Sequence, residues 1–459
     1  MKKIIIAYMC VSIIMIHGQC PPKTDDDLGA KVVQAYIFGY PLVLMRITKE
    51  VSTNVATSTG KQAPVNQFVH ATRMLDASFK QVVSPNVDTL YSSAWLDLRK
   101  EPIVLHLPDT HGRYYVMQML DAWTNVFADP GKRTTGTQEQ YFVIVGPNWH
   151  GTLPNNITPL HASTDTVWII GRTQCNGPDD CAAVQKIQEG YTLTPLSSFG
   201  KTYKPAVGMV DSAVNMTTPP VQQVAQMNAQ VFFSTLAHAM AIDKPAAEDA
   251  AMVQLLHSIG VVPGKDFVVS KDNEQRFNEA VKKAQQTIAA SASSVTTAVN
   301  GWHVDLKDVS HYGTNYLLRA CIALVGLGIN LVQDAVYYLT NTDNSGKQLQ
   351  GNSCYKLHFA ANALPPARAF WSLTMYNKEH FLVANDLNRY ALGSRDELIK
   401  NTDGSLDIII QHAEPHSHKA NWLPSPKEEF NLILRLYWPA EAVLKGTWQP
   451  PAIIPSTCS

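Results

Sequence analysis

The sequence lacks an excess of charge of either sign. Its 459 residues include 37 lysines and arginines against 38 aspartates and glutamates, and the basic residues form no run. Proteins that bind nucleic acid or anionic membranes usually carry a basic patch, so we expect neither kind of partner. Because 45% of the residues are hydrophobic, the chain has ample material for a core, and its length predicts two or three domains.

The sequence also lacks the short motifs that identify common enzyme classes. It contains no GxSxG elbow, no HExxH, no P-loop and no dinucleotide-binding fingerprint. Standard serine hydrolases, zincins, NTPases and Rossmann enzymes are therefore not expected, and no cofactor is predicted. A hydrolase or lyase that uses acid–base carboxylates on a β-sandwich would leave no short motif, so this class stays open.

No segment after the N-terminus looks like a transmembrane anchor. The first residues, MKKIIIAYMCVSIIMIHGQC, combine two lysines, a short apolar stretch and the small residue Gly18, in the order of an export signal. The apolar stretch is too short to span a bilayer comfortably. We therefore predict that residues 1–18 are a signal peptide and that the protein is exported, either periplasmic or secreted. Gln19 is a poor residue ahead of a lipid-modified Cys20, so a lipoprotein is the weaker alternative.

Cysteines are few, with seven in the chain and six if Cys10 leaves with the signal peptide. An even number in an exported protein permits disulfides. Cys175 and Cys181 flank the turn-rich sequence Asn-Gly-Pro-Asp-Asp, and we predict that they form a disulfide. A zinc knuckle is the alternative, but no second Cys or His pair has the needed spacing. The sequence does not decide how the remaining cysteines pair.

Helical and strand-like segments alternate along the chain. Apolar spacing predicts a helix over 28–52, which Pro41 should kink or break, and a second helix over 71–80. Residues 88–173 contain short strand candidates between turn signals, as in a β-sandwich, and helical periodicity returns over 220–330. The last third reads as strands again, which favours a jelly roll. We therefore predict a multidomain α and β protein with a helical portion (27–80 and 216–335), an N-terminal β-sandwich (81–215) and a C-terminal jelly-roll-like β-sandwich (336–456).

Several segments resemble a known bacterial family. AYIFGYPLVLM, SPNVDTLYSSAWLDL, GRYYVMQMLDAWTNVF and GKRTTG resemble its N-terminal half. FWSLTMYN, NDLNRYALGSR, NWLPSP and LRLYWPAEAVLKGTWQPP resemble its C-terminal half. These are the tandem domains of unknown function 1254 and 1214. The resemblance covers almost all of the chain after the signal segment. It implies a helical portion, a β-sandwich and a C-terminal jelly roll, and it implies no reaction.

The first candidate site is SPNVDTLY, residues 84–91. In a structural interpretation, Pro85 fixes a turn while Asn86 and Asp88 cap backbone N–H groups before a strand. In a functional interpretation, Asp88 and Tyr91 face a cleft as acid–base partners. We predict a mixed outcome, in which Asn86 is structural and Asp88 with Tyr91 is catalytic.

Two further groups of polar and aromatic residues are candidate ligand sites. Trp123 beside amide side chains suits a sugar, and Arg389 can clamp a carboxylate or phosphate. The alternatives are a turn network with Trp123 in the core, and an arginine that pins a loop. Together with Asn86, the predicted ligand-binding residues are Gln118, Asp121, Trp123, Asn125 and Arg133 in the N-terminal half, and Tyr376, Asn377, Arg389 and Trp422 in the C-terminal half.

Three histidines close together, His412, His416 and His418, raise the question of a metal site with Glu414 as a fourth ligand. Metal ligands need a rigid frame, and Pro415 interrupts what looks like an exposed loop. We therefore predict no metal site.

These observations predict an exported protein whose polar and aromatic cleft binds a small or polymeric ligand, with carbohydrate as one class. If the protein is an enzyme, hydrolysis or elimination is the expected reaction. The alternative is a non-catalytic structural or interaction protein of the cell envelope, in which the polar motifs fasten the turns of the sandwiches. The sequence leaves a homo-oligomer open.

Overall fold

The computed structural model describes residues 26–80, 82–292, 297–304 and 309–458, and it confirms a mixed α and β protein with several sheets. The predicted signal peptide, residues 1–18, lies outside the described residues. The helices are α1 (Asp26–Thr53), α2 (Cys181–Glu189), α3 (Pro220–Gln226), α4 (Ala229–Ile242), α5 (Ala250–Ser258), α6 (Lys271–Ala292), α7 (Tyr316–Gly326) and α8 (Glu441–Leu444).

Two sheets in the first half of the chain share one hydrophobic core. Leu96, Leu105 and Met117 come from different strands and meet in that core, because alternate side chains of a strand point to the same face. The sheet orders are β1-β2-β8-β4-β5 and β7-β6-β3-β9. The strands are β1 (Val69–His70), β2 (Thr89–Asp97), β3 (Ile103–Leu107), β4 (Tyr115–Asp121), β5 (Val126–Ala128), β6 (Gln140–Val145), β7 (Thr158–His161), β8 (Thr166–Gln174) and β9 (Thr192–Pro195).

The last third of the chain also has two sheets around one core, to which Leu357, Leu373 and Ile408 contribute. The sheet orders are β10-β11-β12-β18-β14-β15 and β17-β16-β13-β19. The strands are β10 (Thr297–Val299), β11 (Trp302–Val304), β12 (Ala335–Thr340), β13 (Cys354–Phe359), β14 (Ala367–Asn377), β15 (Ala391–Gly393), β16 (Leu406–Gln411), β17 (Trp422–Pro424), β18 (Phe430–Pro439) and β19 (Ile454–Ser456). We call the two sheet pairs the N-terminal and C-terminal β units.

Helix α1 is the centre of the helical portion, whose core includes Tyr36, Phe38 and Leu236. Pro41 does not break α1. The helix continues through this residue because buried residues on both sides hold it in place. Within the described residues, α1 is the one helix long and apolar enough to span a membrane, and 61% of its apolar stretch is buried in the protein. Such burial is what the core helix of a folded domain shows.

The predicted helix over 71–80 is wrong, because this segment is irregular. The carboxylate of Asp76 accepts hydrogen bonds from the backbone N–H and the hydroxyl of Ser78, which closes a local turn. Leu75 packs against a cluster of the C-terminal β unit that includes Tyr376. The apolar residues of this segment therefore cover a distant sheet instead of forming one face of a helix.

The predicted disulfide between Cys175 and Cys181 is not formed in the structure. Their sulfur atoms are 3.6 Å apart and both thiols are free and buried. The distance between the two sulfur atoms is far beyond that of a disulfide bond. Each sulfur instead contacts the Gly177 carbonyl oxygen, at 3.3 Å for Cys175 and 3.8 Å for Cys181. The disulfide among the described residues joins Cys354 to Cys458.

Candidate functional site

Residues 84–88 lie between the two β units and are hydrogen-bonded to the C-terminal one. The Ser84 N–H donates to the His380 carbonyl oxygen at 2.7 Å, and the Tyr376 hydroxyl donates to the Pro85 carbonyl oxygen at 2.7 Å. Asn86 caps the turn as expected, since its Oδ1 accepts from the Asp88 N–H at 2.5 Å. The segment is therefore both a turn and a contact between the two units.

Asp88 is fully buried, and both oxygens of its carboxylate have partners from the C-terminal β unit. One oxygen accepts from the Ser372 hydroxyl at 2.7 Å and from the Tyr437 hydroxyl at 3.1 Å. The other forms a salt bridge with Arg395, which also donates to the carbonyl oxygens of Asp88 and Cys175. With its acceptors occupied in this way, Asp88 serves as an interdomain anchor, which corrects the prediction that it faces a cleft.

Tyr91 does face a cavity. The cavity measures about 720 Å³ and lies between β2 and β8 of the N-terminal unit, β12 and β18 of the C-terminal unit, and the end of α7 with the loop after it. Asn86 also lines it. Its walls are mostly apolar, and Phe79, Trp168, Ile170, Leu327 and Ile433 are among the side chains that form them.

Arg172 is a buried wall residue of this cavity. It lies directly opposite Tyr91 in the β2–β8 pairing, and its guanidinium carbon is 5.2 Å from the centre of the Tyr91 ring. Its Nη1 donates to Gln118 Oε1 at 3.0 Å, its Nη2 donates to the Gly328 carbonyl oxygen at 3.2 Å, and its Nε lies 3.4 Å from the Tyr91 hydroxyl. All these partners are uncharged groups.

Arg435 occupies the corresponding place in the C-terminal unit, directly opposite Tyr337 in the β12–β18 pairing. It is buried, and it donates to the Thr374 hydroxyl at 3.0 Å and to the Ser84 carbonyl oxygen at 3.1 Å. Its Nε is buried and makes no hydrogen bond within the described parts of the chain. Burial raises the pKa of Tyr337 to about 12 although Arg172 and Arg435 act to lower it, so this phenol is neutral at ordinary pH.

The second predicted group lies elsewhere. Asp121 accepts hydrogen bonds from the N–H groups of Trp123 and Asn125, each at 2.9 Å, and from the Ser163 hydroxyl at 2.8 Å. Burial raises the pKa of Asp121, although the hydrogen bonds from Asn125 and Ser163 oppose the shift. Trp123 is buried against Phe38 of the helical core, with ring centres 4.8 Å apart. Because its ring is covered, Trp123 cannot stack on a sugar, and this group is a turn network.

Arg133 joins the two β units. Its Nε is 2.7 Å from a carboxylate oxygen of Asp334, and the same guanidinium binds Asp129. Burial and repulsion by Asp334 raise the pKa of Asp129 to about 7, against the lowering effect of Arg133. The guanidinium of Arg133 therefore binds two carboxylates of the protein itself, which corrects the prediction that Arg133 binds a ligand.

The third predicted group does not form one site either. Tyr376 is buried at the contact with Pro85, and Asn377 Oδ1 accepts from the Phe381 N–H at 2.8 Å in a hairpin turn. Arg389 donates to the carbonyl oxygens of Lys419 and Trp422, so it pins a loop. The buried Trp422 indole donates to the Gln411 carbonyl oxygen at 2.9 Å.

A second cavity, of about 590 Å³, adjoins Arg389, Arg395 and the two free thiols Cys175 and Cys181. Among the residues that the structure describes, no group of three or more His, Cys, Asp or Glu side chains is arranged to hold a metal ion. His412 is hydrogen-bonded through Nδ1 to the Ser425 carbonyl oxygen at 2.9 Å.

Two family models match the chain in tandem. The protein of unknown function DUF1254 matches residues 65–195, and the protein of unknown function DUF1214 matches residues 334–441. The chain belongs to the tandem DUF1254–DUF1214 family. This confirms the resemblance noted from the sequence segments. A comparison with curated proteins finds no match.

Two solved structures are similar to this chain. The VPA0106 protein from Vibrio parahaemolyticus has a TM-score of 0.73 at 22% identity, over 94% of this chain and 100% of that chain. It shares the fold. An uncharacterised protein from Burkholderia cenocepacia has a TM-score of 0.42 at 15% identity, over 94% of this chain and 93% of that chain, and this likeness carries no argument.

Both DUF domains contribute to the larger cavity, since Tyr91 and Arg172 come from the DUF1254 match and Tyr337 and Arg435 from the DUF1214 match. Except for Tyr91, the sequence analysis missed these residues. A signal was present, because Arg172 and Arg435 each interrupt an apolar strand, in TVWIIGRTQ and FNLILRLYWP. An arginine is rarely buried without a partner, so its presence inside such a strand indicates a special environment.

Proposed function

We propose that the protein binds a small, largely apolar molecule in the cavity between its two β units. The observation that carries the proposal is the apolar lining, which continues to a mouth where Val82, Val83 and Val325 are between 55% and 62% exposed. Clustered apolar surface of this kind marks binding sites in soluble proteins. A volume of about 720 Å³ is within the usual range for small-molecule sites.

The lining favours a ligand with an apolar body over the carbohydrate that Trp123 suggested. Sugars need many hydrogen-bonding side chains, whereas this wall has a few polar groups among many apolar ones. If the molecule is turned over by hydrolysis or elimination, Tyr91 is the side chain best placed to exchange a proton, since it lies in the cavity beside Arg172.

We also propose that the protein is exported and that its β units are a sandwich and a jelly roll. The disulfide between Cys354 and Cys458 supports export, because disulfides persist in oxidising compartments. Two sheets around one core in each unit support the fold assignment.

One observation favours the alternative of a structural or interaction protein. Asn86 and Asp88 belong to the polar segment that first suggested a site, yet they bind the C-terminal β unit. In that interpretation the polar motifs fasten the two units, and the cavity is a packing defect.

Fluorescence of the neutral probe N-phenyl-1-naphthylamine tests the proposal. We expect the wild-type protein to bind the probe, and Val83→Trp and Val325→Trp to weaken binding by filling the mouth. Val207→Trp is the matched control, since Val207 is exposed and lies outside the cavity wall. Equal binding by all four proteins, or none by the wild type, would contradict the proposal. Mass spectrometry of a metabolite extract incubated with the protein then shows whether any compound is retained or consumed.

A further inference from the structure

We propose that the cavity selects an amphipathic carboxylate, an apolar chain or ring that ends in one carboxylate group, and that Arg172 and Arg435 hold this group. The inference rests on the proposed binding of an apolar molecule in the same cavity. It adds the chemical class of the ligand and the residues that recognise it.

The charge balance of the cavity wall carries the inference. Arginine is protonated at all ordinary pH values, so Arg172 and Arg435 bring two positive charges into a largely apolar environment. Among the described residues, neither guanidinium contacts a carboxylate: Arg172 bonds to an amide, a phenol and a carbonyl, and Arg435 to a hydroxyl and a carbonyl. Buried charges are normally paired. A ligand carboxylate would supply the counter-charge.

The nearby carboxylate of Asp88 is already engaged. It forms its salt bridge with Arg395 and accepts from two hydroxyls, so it influences Arg435 only from a distance. The Asp88–Arg395 pair is neutral as a whole and neither residue lines the cavity, so it does not compensate the charges of Arg172 and Arg435.

The hydrogen-bonding geometry of arginine suits the same ligand. A guanidinium has five N–H donors in a planar fork that matches a carboxylate. Arg435 makes one hydrogen bond through Nη1 and one through Nη2, and each of these groups carries two N–H donors.

The two arginines form matched pairs with tyrosines. Tyr91 faces Arg172 across β2 and β8, and Tyr337 faces Arg435 across β12 and β18, so each β unit presents one tyrosine–arginine pair to the same cavity. Cross-strand neighbours share one face of a sheet. Both arginines and both tyrosines line this one cavity. The two pairs therefore present positive charge to a bound ligand from both β units.

Gln118 is a positioning residue for this arrangement. Its Oε1 accepts from Arg172, and its Nε2 donates to the carbonyl oxygens of Gly328 and Ile329 at 3.1 and 2.8 Å. It thus holds Arg172 against the loop that follows α7, and does not itself line the cavity. This reassigns a residue that the sequence predicted to touch the ligand.

Isothermal titration with decanoate and with decan-1-ol tests the inference, since the two molecules share an apolar chain and differ in charge. We expect the wild type to bind decanoate about tenfold more tightly than the alcohol, the effect of a charge-assisted hydrogen bond. Arg172→Gln and Arg435→Gln should each bring the ratio of the two affinities close to one. Arg368→Gln is the control, because it removes the same charge from an exposed site outside the cavity.

The results distinguish a failure of the carboxylate inference from a failure of the proposed apolar site. Equal binding of both compounds by the wild type, weakened by Val325→Trp, would overturn the carboxylate inference and leave the apolar site intact. Binding of neither compound would count against the proposed function as well. Decanoate binding that survives both glutamine variants would overturn the assignment of the arginines. If Arg435→Gln does not fold by circular dichroism, Arg172→Gln and Arg435→Lys decide, since lysine keeps the charge and should keep the preference for decanoate.

Discussion

Asp88 illustrates what a local sequence segment reveals about a single residue. The turn made by Pro85 and Asn86 was predictable, because Asn86 Oδ1 accepts from backbone N–H groups only two and three residues along the chain. The partners of the Asp88 side chain, Ser372, Tyr437 and Arg395, are 284 to 349 residues away. Such contacts leave no local pattern, so the same polar residue was predicted to face a cleft.

Replacement of Asp88 should therefore cost more than the loss of a helix or turn cap. Asp88→Ala leaves Arg395 in its mostly buried position without a carboxylate, and we expect the free energy of unfolding to fall by on the order of 3 kcal/mol. Urea unfolding of the variant beside Asp386→Ala, an exposed aspartate, measures the difference. A loss as small as the roughly 1 kcal/mol of a cap would show that the salt bridge contributes little.

At the scale of elements, strands were predictable and long-range pairings were not. The strands β3 and β6 lie within residues 88–173, where short apolar segments between turn signals predicted strands. The helix predicted over 71–80 does not form, because the apolar residues of this segment pack on the C-terminal β unit. The disulfide prediction chose two cysteines that are close in sequence, whereas Cys354 and Cys458 are 104 residues apart and are brought together by the pairing of β13 with β19.

The disulfide should be a large contribution to the stability of the C-terminal β unit. In the chain-entropy model, a loop of about 100 residues gives a stabilisation of about 4–5 kcal/mol, which Cys458→Ser would remove. Chemical denaturation with and without a reductant measures this, and the reductant should destabilise the wild type but not the variant. Non-reducing peptide mapping is the companion measurement. It should find Cys354 linked to Cys458, and a linked Cys175–Cys181 peptide would contradict the structure.

At the scale of the whole molecule, charged contacts fasten the two β units beside the cavity. Asp88 with Arg395 forms one contact, and Arg133 with Asp334 forms another. In each, the two partners belong to different DUF domains. The sequence predicted the two units separately, but not which polar residues join them or what space the junction encloses, because these depend on how the units pack.

The second contact should make the stability of the molecule depend on pH. Burial and repulsion by Asp334 raise the pKa of Asp129 to about 7, whereas an unfolded aspartate has a pKa of about 3.9. Between these values the folded state holds a proton that the unfolded state has released, so this contribution to stability is present below about pH 4 and is lost as the pH rises through about 7. Asp129→Asn removes the titrating group. We therefore expect the melting temperature of the variant to fall less between pH 5 and pH 8 than that of the wild type, with the exposed Asp386→Asn as the control. An identical pH dependence in all three proteins would mean that Asp129 is ionised in the folded protein across this range, with Arg133 neutralising both carboxylates.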